Sequence, residues 1–218
     1  MNNPIDGKPA MLLKEKAYQV IRESIIKEVF PAGEFLSERK LIEHLGGMSK
    51  TPIKSAIDRL ETEGFVQVAP KQGIIVKELS MDKARDIFEL RLAIEQLVCE
   101  LIAGQLKPHE AEAIKENLEW QKSALDAQDE QSFTGADSAF HLLLSECCGN
   151  KEIFAIMTNN QAHLYRSALR VLRRVPNRMQ VAYDDHTRIY QMLLAGNADE
   201  AKRLIREHLV FGKNILTL

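Results

Sequence analysis

A chain of 218 residues can bury one or two hydrophobic cores, and its 45% apolar and 28% charged side chains are ordinary for a soluble protein. No apolar run approaches the length of a membrane span and no signal peptide opens the sequence, so neither a membrane-spanning nor an exported protein is expected. Cys99, Cys147 and Cys148 are odd in number and lack paired spacing, which argues against a disulfide scaffold and for cysteines as small core residues in a reducing cytoplasm.

In chain order, residues 1–10 read as a loose tail, and a first helix is stopped by Pro31 and Gly33. Ser37 can cap the next helix, which carries Leu41, Ile42 and Leu45 inward. Gly46-Gly47 supplies a sharp turn, and Ser49 is placed to cap a helix whose apolar positions are Ile53, Ala56, Ile57 and Leu60. Pro52 is tolerated there because a first-turn amide has no intrahelical acceptor. After Gly64, the runs Phe65-Val66-x-Val68 and Ile74-Ile75-Val76 flank Pro70-Lys71-Gln72-Gly73, a two-stranded ribbon with a basic tip. Helix, turn, helix and ribbon in this order predict a winged helix-turn-helix, with double-stranded DNA as the first partner to test.

Lys50, Thr51, Lys54 and Ser55 lie opposite the apolar stripe, near a helix N-terminus whose free amides suit phosphates. The first 78 residues carry 12 basic and 11 acidic side chains, so local placement must hold the DNA, and one half-site would hold few phosphates. The stretches PAGEFLSERKLIEHL, GGMSKTPIKSAI, RLETEGFVQV and QGIIV resemble the N-terminal domain of the GntR superfamily of bacterial regulators. That resemblance implies DNA contacts from Arg39, Ser49, Lys50, Thr51 and Lys54, and from a wing comprising Lys71, Gln72 and Gly73. Lys50 and Lys54 stand where the family usually has arginine, and lysine cannot fork onto guanine as arginine does.

The rest of the chain is helical by pattern, over about 81–105, 109–127, 130–148, 151–173, 178–195 and 198–216, with loop or cap chemistry at every break. The expected architecture is therefore mainly α: a winged helix-turn-helix over 11–78, then an antiparallel six-helix bundle over 79–218.

Within the bundle, polar groups fall on apolar stripes. Asp137 and His141 share the stripe of Phe133, Ala136, Phe140 and Leu144; His186 lies with Ala182, Ile189, Tyr190 and Leu193; His208 lies with Ala201, Leu204, Ile205 and Leu209. Taken singly, each histidine reads as a hydrogen-bonded core residue. Taken together, one carboxylate and three imidazoles from three helices could surround a divalent metal, with zinc, nickel, manganese, cobalt and iron all compatible.

The segments DSAFH, DDHTRIYQMLLAGNADEA and EHL resemble the FCD ligand-sensing domain of the FadR branch of GntR regulators, in its shorter VanR-like form. The resemblance implies that Asp137, His141, His186 and His208 bind the metal, zinc first among the candidates, and that the metal helps hold a small organic acid. Arg91, in FELRLAIE, can face a carboxylate or form an ion pair with Glu95; Asn160, His163 and Arg166 are further effector candidates. The function so implied is that of a homodimeric, metabolite-responsive repressor acting on a pseudo-palindromic operator, not of an enzyme: there is no HExxH helix and no separate inward carboxylate to serve as a base. The alternative is a regulator for which the metal itself is the signal.

Overall fold

A computed structural model of the protein describes residues 12–69 and 73–217. Its contacts separate into two units, the first ending at Glu78 and the second starting at Leu79.

The first unit runs α1 (Leu13–Ile26), β1 (Phe35–Leu36), α2 (Glu38–His44), α3 (Lys50–Thr62), β2 (Val66–Ala69) and β3 (Gly73–Val76). Ile53, Ala56, Ile57 and Leu60 form the buried face of α3, which packs chiefly on Ala17, Ile21 and Ile25 of α1. Each large apolar side chain so buried contributes about 1.5–3 kcal/mol. In α2 only Leu41 is fully buried, while Ile42 and Leu45 are half-covered. Ser37 caps α2 by accepting the Lys40 amide. Ser49 occupies the equivalent place before α3 but makes no side-chain cap bond. The third residue of that helix is Pro52, which lacks the amide that such a cap would receive, so the Ser49 hydroxyl stays exposed.

The sheet has three strands in the order β1-β3-β2, not the two expected from sequence. Strand β1 is two residues long, too short for alternation to register, and pairs Phe35 with Ile75 and Leu36 with Ile74. Gly73 opens β3 at φ +114°, and a Cβ there would lie 3.2 Å from the Leu36 carbonyl oxygen, so only glycine fits this end of the hairpin.

The second unit is a bundle of α4 (Met81–Ile102), α5 (Pro108–Asp126), α6 (Glu130–Cys147), α7 (Lys151–Arg174), α8 (Arg178–Leu194) and α9 (Ala198–Thr217). Ser80, Asp129 and Asn150 cap α4, α6 and α7 by accepting first-turn amides. The first and last helices of the bundle, α4 and α9, share its largest contact, and the core gathers Val98, Cys99, Ile114, Phe140, Ile189 and Ile205. Tyr190 is only half-buried, because its hydroxyl turns out to donate to the Ala111 carbonyl at 2.9 Å. The cysteines are free thiols; burial pushes Cys99 up to about 12 and Cys147 up to about 11, which keeps both protonated and unreactive at neutral pH. Among the described residues no helix is long and apolar enough to cross a membrane.

Candidate metal centre

Asp137 and His141 stand one turn apart on the inner face of α6, His186 at the middle of α8, and His208 on α9. One ligand atom from each lies within 4.8 Å of all the others, and all four residues are buried. His186 Nε2 is 3.3 Å from His208 Nε2 and 3.8 Å from an Asp137 carboxylate oxygen. Ligands bound tetrahedrally at zinc distances sit roughly 3.4 Å from one another, so the cluster needs little movement to close on an ion.

Each imidazole is fastened through its other nitrogen. His141 Nδ1 meets Glu95 Oε2 at 2.6 Å, His186 Nδ1 meets Gln121 Oε1 at 2.8 Å, and His208 Nδ1 meets Asp185 Oδ2 at 3.1 Å. For His141 and His186 the acceptor sets the tautomer, with the proton on Nδ1 and the Nε2 lone pair toward the common centre; His208 Nδ1 lies between the acceptor Asp185 Oδ2 and the donor Arg178 Nη2, the latter at 3.2 Å. The Phe140 ring stacks on His186 at 4.2 Å between centroids and fixes its plane. His141 Nε2 is buried and has no hydrogen-bond partner among the described residues, a costly state for a core histidine but the expected one for a ligand atom.

The electrostatics agree. Burial holds His141, His186 and His208 well below the usual histidine range, so all three are neutral at physiological pH. Burial pushes the Asp137 carboxyl up to about 6, against the opposing pull of Arg91 and Arg178. At neutral pH the cluster is thus one carboxylate and three neutral imidazoles, the protonation state a divalent ion requires.

Beside this cluster lies a cavity of about 30 Å³ bounded by Phe88, Arg91, Asp137, Arg178, His208 and Gly212, among others. Arg91 bonds Glu95 through Nε at 2.5 Å, and its buried Nη2 has no hydrogen-bond partner among the described residues. Arg178, which the sequence reading did not single out, brings a second buried guanidinium, with Nη1 3.6 Å from Asp185 and the Phe211 ring beneath it at 4.4 Å. Asn160, His163 and Arg166 do not line this cavity; α7 contributes Ala168, Val171 and Leu172 instead, one to three turns further along. Asn160 donates to the Ile156 carbonyl of its own helix. The Nδ1 acceptors Gln121 and Asp185 also escaped the sequence reading, since a glutamine or aspartate on a helix is ordinary until its neighbour is known.

In the first unit, Arg39, Ser49, Lys50, Thr51 and Lys54 are all exposed on α2 and around the start of α3. Arg39 is ion-paired with Glu43 at 2.8 Å and Lys50 with Glu38 at 2.8 Å, contacts of little strength in water. Gly73 starts β3 at the turn end of the hairpin, paired with Ala69; Lys71 and Gln72 lie outside the described residues.

Comparison with known families matches residues 13–76 to the model for bacterial regulatory proteins of the gntR family, and residues 86–211 to the FCD domain. The chain belongs to the GntR family. As a GntR regulator with an FCD domain it is a transcriptional regulator, not an enzyme. It is 34% identical to an uncharacterized HTH-type transcriptional regulator in the TAR-I ttuE-ttuC' intergenic region of Agrobacterium vitis, over 60% of this chain and 78% of that one. It is 23% identical to the HTH-type transcriptional repressor RspR of Escherichia coli K12, over 92% and 87% of the two chains. Among solved structures, E. coli McbR/YncC superposes with a TM-score of 0.79 at 19% identity, covering 94% of this chain and 97% of that one, a likeness of fold alone.

Proposed function

We propose that this GntR regulator is a repressor whose hold on its operator is released by a small carboxylate bound beside a divalent metal on Asp137, His141, His186 and His208. The observation that carries this reading is a pair of buried atoms without hydrogen-bond partners among the described residues: Nε2 of His141, a member of the ligand cluster, and Nη2 of Arg91, which lines the adjoining cavity. A metal would supply a Lewis-acid anchor for an acid's oxygen, and Arg91 and Arg178 the cationic wall around it. Zinc suits a site of three imidazoles and one carboxylate; nickel, manganese, cobalt and iron are compatible. The repressor assignment follows the printed name of the RspR relative.

A homodimer in the cytoplasm, reading two half-sites of a pseudo-palindrome with α3 of each copy, completes the proposal. Its support is a strip on α4 where Leu90, Leu97 and Leu101 are 39–46% exposed and Ile94 is half-covered, a spacing suited to a second helix. Effector release then requires that the acid bind the DNA-free state more tightly than the DNA-bound one. Operator affinity, measured with zinc-loaded protein across hydroxy acids, sugar acids and dicarboxylates, tests this: one acid should weaken binding, and identical affinities throughout would end the sensing role.

The second reading, in which the metal is itself the signal, draws on the size of the cavity. At about 30 Å³ it is far below the roughly 300–1,000 Å³ of ordinary ligand pockets, so an organic acid must displace side chains to enter. Operator affinity that responds to zinc alone and to no acid would favour it.

A further inference from the structure

Arg91, Glu95 and His141 form one buried chain. Arg91 Nε donates to Glu95 Oε1 at 2.5 Å, Glu95 Oε2 accepts from His141 Nδ1 at 2.6 Å, and the Arg91, Glu95 and His141 side chains are 6%, 1% and 2% exposed. The two readings of Arg91, a structural ion pair or a ligand residue, are therefore compatible. Nε is spent on Glu95, while Nη2 is buried without a partner among the described residues, on a residue that lines the cavity. At the other end, His141 Nε2 is likewise uncommitted.

We propose that Glu95 is a positioning residue that couples the two ends, so that a carboxylate on Arg91 and a metal on His141 each tighten the other's binding. The inference rests on the metal-and-acid reading above and adds its regulation. The physical reason is that one carboxylate is shared between two donors. An anion at Nη2 weakens the pull of the guanidinium on Glu95, which leaves more negative charge to face the His141 Nδ1–H and makes Nε2 a stronger donor to the metal. In the other direction, a metal on Nε2 polarises the ring, strengthens the Nδ1–H bond to Glu95, and frees the guanidinium for an incoming anion. Linkage makes the two effects equal in size. Arg178, Asp185 and His208 make a second, looser chain of the same kind, with Arg178 Nη1 3.6 Å from Asp185 and Asp185 26% exposed, so water screens its share of the coupling; Gln121 is neutral.

The test is zinc affinity of the full-length protein, measured by competition with a chromophoric chelator, with and without saturating acetate at constant ionic strength. Wild type should bind zinc about fivefold or more tighter in acetate, the lower end of ordinary coupling between sites. Glu95→Gln keeps an acceptor for His141 but removes the shared charge, and should reduce the acetate effect to less than about twofold. Arg91→Lys keeps a cation near Glu95 but lacks Nη2, and should lose the acetate effect. The visible spectrum of the cobalt-loaded protein gives a second readout: acetate should shift it in wild type and not in either variant. An equal acetate effect in all three proteins would mean that acetate simply ligates the metal, and would overturn the coupling. Zinc binding that acetate leaves unchanged in wild type would overturn it too, with the metal reading intact. Failure of wild type to bind zinc would overturn both.

Discussion

Asp137→Asn should make the metal-free protein more stable and the metal-loaded protein less so. In the folded state the Asp137 carboxyl is raised from 3.8 to about 6 by burial, so its ionised form is disfavoured there. The penalty is absent below the unfolded value, grows as pH rises, and is complete once pH exceeds the folded value of about 6. A shift of this size corresponds to about 3 kcal/mol at neutral pH, or roughly 6–12 °C in the unfolding temperature of a chain this long. Asparagine removes the charge at nearly constant volume. Chelator-treated Asp137→Asn should therefore unfold several degrees above wild type near pH 7.5, and the two should converge as pH falls toward 4. Adding zinc at a thousandfold excess over Kd should reverse the order, because wild type then gains about 4.1 kcal/mol and the variant loses a ligand. Thermal unfolding across pH, with and without zinc, is the assay. If the metal-free variant is less stable at pH 7.5, or if the gap does not close on acidification, then Asp137 is compensated by Arg91 and Arg178 and is not a charge held in reserve for a metal.

Zinc binding should release about one proton near pH 5 and almost none near pH 7.5, because the three histidines are neutral over this range and only Asp137 titrates; calorimetry in buffers of differing ionisation enthalpy measures this directly. Three protons released near pH 5 would contradict the depressed histidines. Gly212→Ala should blunt any acid response, since its Cβ would sit 3.1–3.2 Å from the Phe88 ring at the cavity wall. An undiminished acid response would place the acid elsewhere. Lys50→Ala should cost about 1–3 kcal/mol on the operator and less on random duplex, measured by fluorescence anisotropy; equal losses would restrict Lys50 to phosphate.

Much of this molecule was legible in the sequence, because its signals are local. Gly46-Gly47, Ser80, Asn150 and the three-and-four spacing of Ile53, Ala56, Ile57 and Leu60 act through backbone sterics and nearest turns, so they define helices without knowledge of the fold. The cluster of Asp137, His141, His186 and His208 was legible for a related reason: a carboxylate and three imidazoles on apolar stripes are costly to bury without partners, and four residues that share this cost point to one another. Strand β1 was not legible, since Phe35-Leu36 becomes a strand only because β3 offers it an edge. Nor were Gln121, Asp185 and Arg178, which lie on helices that approach the histidines only in three dimensions. The sequence alone determined the family, the helices and the residues able to hold a metal. Tertiary structure decided which nitrogen of each histidine is free to do so, how little room remains beside them, and that Arg91 and His141 share one carboxylate, because hydrogen-bond direction and cavity shape depend on side chains far apart in the chain.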